Sequence, residues 1–153
     1  MANTYSQLYV HFVFSVQNRA CLLSTDWRDR LFRYICGIVN NLGNKCLAVN
    51  GTADHVHLFI GKKPTQSEAG IIQLVKKESA IWINLNHLTK GNFHWQTGYG
   101  VFTYSHSQID NVIKYIINQE SHHKKITFKE EYLELLKLFN IEFKNEYLFE
   151  WID

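Results

Sequence analysis

Proline, cysteine and long hydrophobic runs are scarce in this sequence. It contains one proline and three cysteines among 153 residues, with 46% hydrophobic and 20% charged residues. This composition is typical of a folded globular domain and argues against a disordered chain. The odd number of cysteines and the absence of CxxC spacing indicate free thiols in a reducing compartment. Since no run approaches the roughly 20 apolar residues of a membrane span, we expect a cytoplasmic protein without a membrane partner.

A strong charge of either sign is also absent, because the net charge is +2 and the isoelectric point is about 8.4. Such a balance permits a nucleic-acid partner without requiring one, so phosphate binding would depend on local basic groups. The candidates are Lys76, Lys77, His122, Lys124 and Lys125. Paired lysines also occur on ordinary solvated surfaces, and that alternative stays open for each group.

Hydrophobic periodicity predicts an alternating series of strands and helices. The predicted strands span 5–17, 45–50, 55–61 and 101–105. The predicted helices span about 26–42, with an N-cap in Ser24-Thr25-Asp26, and 67–84, with an N-cap at Ser67. The order strand, helix, strand, strand, helix, strand is the split βαβ pattern of ferredoxin-like domains. We therefore predict an α+β fold, a ferredoxin-like βαββαβ sandwich with an antiparallel sheet and helices on one face.

Two more helices are predicted after this core. One begins near Ser107 and carries an apolar stripe through Ile117, and the other begins at a capping box formed by Thr127 and Glu130. We treat residues 1–153 as a single domain, with a core of about 5–125 and a C-terminal helix and tail of about 126–153.

A pair of histidines lies in the third predicted strand, within the short apolar run from Asp54 to Ile60. Alternation along a strand places His55 and His57 side by side on one face of the sheet. Neutral imidazole is a good ligand for divalent ions, and a strand holds two imidazoles rigidly. The pair is therefore either part of a metal site or two hydrogen-bonded core residues. His11, in the first strand, is predicted to be an ordinary sheet residue and not a ligand.

A tyrosine and an amide share one face of the first C-terminal helix. Tyr115 and Gln119 are one turn apart, so their side chains meet on the same surface. Such residues beside an apolar stripe are often structural. Combined with the histidine pair, however, they suggest chemistry on a phosphodiester, with a phenol as nucleophile, a divalent ion as Lewis acid and an amide oxygen as third ligand.

Other aromatic residues could also take part. Tyr99 and Tyr104 are alternative nucleophiles by residue type, but they lack a helical amide neighbour, and we expect them to pack in the core or in a loop. Phe93 and Trp95 could stack on the bases of a single strand or could anchor their own loop.

Five blocks of sequence carry a family resemblance. They include the histidine pair and the tyrosine helix, and they run in order over residues 11–19, 53–60, 74–84, 95–105 and 112–119. In these blocks the chain resembles the single-tyrosine HUH transposases of the smallest bacterial insertion sequences and their REP-associated relatives. A mild departure is Thr103-Tyr104, where family members often carry Ser and a small apolar residue.

This resemblance implies a metal-dependent transposase that acts as a homodimer on single-stranded DNA with hairpin ends. Carried over by position, His55 and His57 are the metal ligands, Gln119 is the third ligand, and Tyr115 is the nucleophile that forms a 5′-phosphotyrosine. The implied cofactor is Mg²⁺ or Mn²⁺, and each active site can be a composite of both subunits. The basic residues Lys76, Lys77, His122, Lys124 and Lys125 become candidate DNA contacts.

Three alternative functions differ from this one in the residues that they require. Histidine-triad hydrolases alternate three histidines along a strand, but the third position here is Phe59. A ferredoxin-like sheet that binds single-stranded nucleic acid through aromatics would need neither both histidines nor Tyr115. A domesticated descendant that binds hairpins without transposing is the alternative that stays open.

Overall fold

The computed structural model describes residues 4–18 and 21–152 and contains a four-stranded antiparallel sheet. The strands are β1 Tyr9–Ser15, β2 Lys45–Gly51, β3 His55–Gly61 and β4 Gly100–Tyr104, arranged in the order β2-β3-β1-β4. The helices are α1 Arg28–Asn41, α2 Glu68–Leu85, α3 Ile109–Ile117, α4 Gln119–His123 and α5 Phe128–Leu138. The predicted ferredoxin-like architecture is confirmed. Arg19, which ends the first matching block of sequence, lies outside the described residues.

Each face of the sheet buries a separate set of side chains. Alternate residues of β1 and β3, such as Phe12 and Leu58, pack with α1 and α2 in the largest core cluster. Phe59 on the opposite face packs against α3, while Val13 packs against α5. The first two helices therefore share one face, as predicted, and the C-terminal helices cover the other face. This second face carries both histidines of β3.

Side-chain caps mark the beginning of α2 and α5. Ser67 Oγ accepts a hydrogen bond from the Gly70 amide at 3.0 Å, and the capping box predicted at Thr127 is present. The cap predicted for α1 is wrong, because the helix begins at Arg28 without a side-chain cap. Ser24 Oγ instead accepts a hydrogen bond from the Asp26 amide at 3.2 Å within the preceding turn.

The tyrosine helix begins and ends slightly differently from the prediction. A short 3₁₀ helix, His106–Gln108, precedes α3, and Asn118 separates α3 from α4. Asn50 of β2 donates hydrogen bonds from Nδ2 to the carbonyls of Ile116 at 3.1 Å and Ile117 at 2.8 Å. These bonds fix the C-terminal end of α3 to the sheet. Asn118 and Gln119, which follow α3, therefore stay beside β3.

Candidate active site

The two histidines of β3 lie side by side under the C-terminal helices. His55 and His57 are fully buried, and their ring centroids are 5.1 Å apart. The ring of Phe128, the first residue of α5, stacks on His55 at a centroid distance of 4.0 Å. The strand alternation predicted from sequence is confirmed, since both imidazoles face the same layer of the protein.

The Nδ1 atom of each imidazole, here called the outer nitrogen, has a partner. His55 Nδ1 lies 2.7 Å from Asp54 Oδ1, and His57 Nδ1 lies 2.7 Å from His11 Nε2. Such outer partners orient the histidines of metal sites. His11 therefore helps to orient His57, whereas we predicted an ordinary sheet residue. It lies at the outer nitrogen of His57 and not beside the Nε2 atoms of the histidine pair. Its other nitrogen, Nδ1, lies 3.4 Å from the Tyr104 hydroxyl.

The Nε2 atoms of the two imidazoles, here called the inner nitrogens, face a carboxylate from α5. Glu131 is 2% exposed, and its Oε1 lies 3.0 Å from His57 Nε2 and 3.4 Å from His55 Nε2. His123 Nε2, from α4, lies 3.0 Å from the same oxygen. These four residues each offer one donor atom, and the donor atoms lie within 4.8 Å of one another. They form a group that could hold a metal ion.

Two residues of this group, Glu131 and His123, were not predicted from the sequence as metal ligands. A signal was present for Glu131, because it lies three residues after Phe128 and four before Leu135, within the buried stripe of α5. A charged residue in such a stripe is costly to bury unless it has partners. His123 gave no comparable signal, since it stands in a polar run at a helix end.

Burial and charge act against each other in this group. Burial lowers the pKa of His55, but hydrogen bonds to Asp54 and Glu131 outweigh it and raise the pKa to about 9. Burial lowers the pKa of His57. The pKa of His11 is also lowered, first by burial and then by the charge of the neighbouring His57. Burial favours protonated Glu131, but the surrounding imidazoles hold its pKa well below the usual range. The carboxylate is therefore charged and needs a cationic partner.

Tyr115 and Gln119 contact the same group. Gln119 is fully buried, and its Oε1 lies 3.1 Å from His55 Nε2 while its Nε2 donates to Glu131 Oε2 at 3.0 Å. The Tyr115 hydroxyl donates a hydrogen bond to the same Oε2 atom. The centroid of its ring is 5.6 Å from that of His57. Burial, and then the negative charge of Glu131, raise the pKa of Tyr115 above its ordinary value.

All four residues predicted for the reaction centre thus meet within one chain. They come from the third strand and from the two halves of the interrupted tyrosine helix: His55, His57, Tyr115 and Gln119.

The basic residues proposed as DNA contacts lie in different surroundings. The Lys76 ammonium donates hydrogen bonds to the carbonyls of Gln96 at 2.9 Å and of Gly98, and burial lowers its pKa to about 8. Lys77, Lys124 and Lys125 are exposed. His122 Nε2 lies 3.4 Å from Glu131 Oε2, at the margin of the metal-ligand group.

The other aromatic candidates have structural surroundings. Phe93 and Trp95 are buried, and Trp95 Nε1 donates a hydrogen bond to Ser79 Oγ at 3.0 Å. Both rings therefore anchor their loop and are not available for stacking on bases in this structure. Tyr99 borders the loop that Lys76 holds, and the Lys76 ammonium lies 5.7 Å from the centre of its ring.

Two solved structures share this fold. A candidate transposase from Deinococcus radiodurans R1 is 24% identical, with a TM-score of 0.61, and the match covers 78% of this chain and 95% of that chain. A REP-associated tyrosine transposase bound to a REP hairpin is 16% identical, with a TM-score of 0.60 and coverage of 82% and 74%, respectively. This likeness defines the fold, which is that of a ferredoxin-like domain.

The family follows from the sequence itself. The model of IS200-like transposases matches residues 4–119, which is most of the chain. The protein therefore belongs to the family of IS200-like transposases. A comparison with curated proteins found no match. None of the helices in the part of the chain that the structure describes is long and apolar enough to cross a membrane.

Proposed function

We propose that this transposase cleaves and rejoins single-stranded DNA at the ends of an insertion sequence, with Tyr115 as the nucleophile. The observation that carries the proposal is the meeting of Tyr115, Gln119 and the histidine pair in one buried group. The solved relative that is bound to a REP hairpin supports hairpin DNA as the substrate.

The proposed cleavage exchanges one ester of phosphate for another. The Tyr115 oxygen forms a bond to phosphorus, the bond from phosphorus to the 3′ oxygen breaks, and the products are a 5′-phosphotyrosine and a free 3′-OH. The phenolic proton is released to solvent as the bond to phosphorus forms, because the Glu131 carboxylate, to which the hydroxyl donates a hydrogen bond in the structure, has a pKa held well below its usual range. Rejoining is the reverse reaction with another 3′-OH, so no external energy source is required.

A divalent ion fits the residues of this site. An amide oxygen suits Mg²⁺ or Mn²⁺, and neutral imidazole is the commonest protein ligand of metal ions, so His55, His57 and Gln119 would hold the ion. His55 Nε2 and Gln119 Oε1 are 3.1 Å apart, which is about the separation expected for two neighbouring ligands that are each about 2.1 Å from one ion. When bound, the ion would polarise the scissile phosphate and neutralise developing charge.

The assembly of the protein is a further part of the proposal. We expect the homodimer implied by the family resemblance, and the meeting of Tyr115 with His57 in one chain favours an active site assembled in cis. The five basic residues considered above, and the cytoplasmic location, stay predictions.

The test is a denaturing gel of single-stranded DNA from the gene's own flanks, labelled at the 5′ or 3′ end and incubated with protein and Mg²⁺ or Mn²⁺. We expect a protein-linked band from the 3′-labelled DNA, and we expect Tyr115→Phe or EDTA to abolish it. Hairpin binding, measured by gel shift, should survive in Tyr115→Phe because only the attacking oxygen is removed.

Tyr99→Phe is the matched control, since it removes the hydroxyl of a partly exposed tyrosine outside the group. It should retain the covalent band. A band that persists in Tyr115→Phe would assign the nucleophile to another residue. Hairpin binding by the wild-type protein without a covalent band in either ion would instead favour the domesticated hairpin-binding alternative.

A further inference from the structure

The C-terminal helices contribute to the metal-ligand group although they lie beyond the part of the chain that matches the family. The match ends at residue 119, whereas His123 is the last residue of α4 and Glu131 lies in α5. We propose that Glu131 and His123 bind the same divalent ion as His55 and His57, so that α4 and α5 complete the metal site. This inference rests on the metal site of the proposed function and adds two ligands to it.

The spacing of the donor atoms supports this assignment. Ligand atoms that are each about 2.1 Å from one ion are about 3.0–3.4 Å apart when the angle between them is octahedral or tetrahedral. Glu131 Oε1 lies 3.0 Å from the Nε2 atoms of His57 and His123 and 3.4 Å from that of His55. The carboxylate oxygen is thus separated from three imidazole nitrogens by distances that suit ligands of one ion.

The orientation of the imidazoles gives a second, independent argument. His123 Nδ1 lies 3.0 Å from the Ile126 carbonyl oxygen, which can only accept, so the Nδ1 proton points outward. His55 Nδ1 likewise faces the Asp54 carboxylate. The Nε2 atom of each ring therefore faces inward, toward the oxygen of Glu131, which is the orientation that a ligand of a shared ion requires.

The remaining oxygen of Glu131 connects the site to the nucleophile. Oε2 accepts hydrogen bonds from Gln119 Nε2 at 3.0 Å and from the Tyr115 hydroxyl. One carboxylate therefore bridges the metal ligands and the tyrosine. Through this bridge α5 orients the phenol relative to the ion.

The test is a titration of the full-length protein with Mn²⁺ in the absence of DNA, followed by electron paramagnetic resonance of the free ion. Glu131→Gln and His123→Ala should each weaken Mn²⁺ binding more than about tenfold, since even the outer partners of metal ligands typically contribute 10–100-fold. Glu131→Asp, which keeps the charge but is one methylene shorter, should be intermediate, and it provides a second variant if Glu131→Gln does not fold.

Glu134→Gln is the matched control, because Glu134 is exposed on the same helix and the charge change is the same. It should bind Mn²⁺ as the wild type does. Wild-type affinity in Glu131→Gln and His123→Ala, together with lost binding in His57→Ala, would overturn this inference alone. Wild-type affinity in His57→Ala as well, or no binding by the wild type, would overturn the proposed metal site itself.

Discussion

Lys76 is a residue whose contacts indicate a role other than the one its charge suggested. Its ammonium donates to the carbonyls of Gln96 and Gly98 in the loop before β4, whereas the neighbouring Lys77 is exposed. We expect Lys76→Met to lower the free energy of unfolding by about 1 kcal/mol, because it removes the donor to these carbonyls and keeps the apolar stem. Lys77→Met should change it by less than about 0.5 kcal/mol.

Urea denaturation of the two variants checks this difference. Equal midpoints for Lys76→Met and the wild type would show that the loop holds without the ammonium. In that case the lysine pair would be free to serve as the DNA contact that the sequence suggested.

Contacts between site residues could be predicted only where the two residues are close together along the chain. His55 with His57, and Tyr115 with Gln119, are close in sequence, so the periodicity of a strand or a helix was enough to bring each pair together. The contacts of His57 with His11 and Glu131 join residues 46 and 74 positions apart. These contacts depend on strand pairing and on how α5 packs, neither of which is encoded in local periodicity.

Among the elements, α2 and α5 offer a controlled comparison. Each begins with a hydroxyl cap, at Ser67 and Thr127 respectively, but only α5 carries a residue of the metal-ligand group. Ser67→Ala and Thr127→Ala should each cost about 1 kcal/mol of stability. Only Thr127→Ala should also weaken Mn²⁺ binding, by up to about fivefold, which is the same 1 kcal/mol expressed as an affinity.

Amide hydrogen exchange and the Mn²⁺ titration together test this prediction. Faster exchange should be confined to α5 in Thr127→Ala and to α2 in Ser67→Ala. An equal loss of Mn²⁺ affinity in both variants would mean that the ion responds to general stability and not to the position of α5.

The elements themselves were largely predictable from sequence. Four strands and the main helices follow from apolar periodicity, and the Ser67 and Thr127 caps follow from local chemistry. The wrong predictions concern helix ends, where several hydroxyl side chains are candidates for the cap. Ser24 resembles a helix cap in sequence, but its hydroxyl accepts the amide of Asp26 in a turn, and α1 begins four residues later.

For the whole molecule, ion binding should appear as thermal stability. A ligand present at 100 times its dissociation constant stabilises the folded state by about 2.7 kcal/mol, which raises the melting temperature of a domain of this size by roughly 5–10 °C. We expect Mn²⁺ to produce this shift in the wild-type protein relative to the same protein in EDTA. His57→Ala should show little or no shift.

Differential scanning fluorimetry over a series of Mn²⁺ concentrations provides the measurement. An equal rise in melting temperature in His57→Ala would locate the stabilising ion away from the histidine pair, and the proposed metal site would then be wrong.

The position of α5 over the sheet has a consequence for how DNA reaches the reaction centre. Phe128 stacks on His55, both histidines of β3 are fully buried, and Glu131 is enclosed with them. Under the proposed function a phosphodiester has to reach these atoms, and α5 lies over them. Moving α5 aside would admit DNA and withdraw Glu131 in one movement. The ion would then lose a ligand from its own protein, and an oxygen of the substrate phosphate could take the same position.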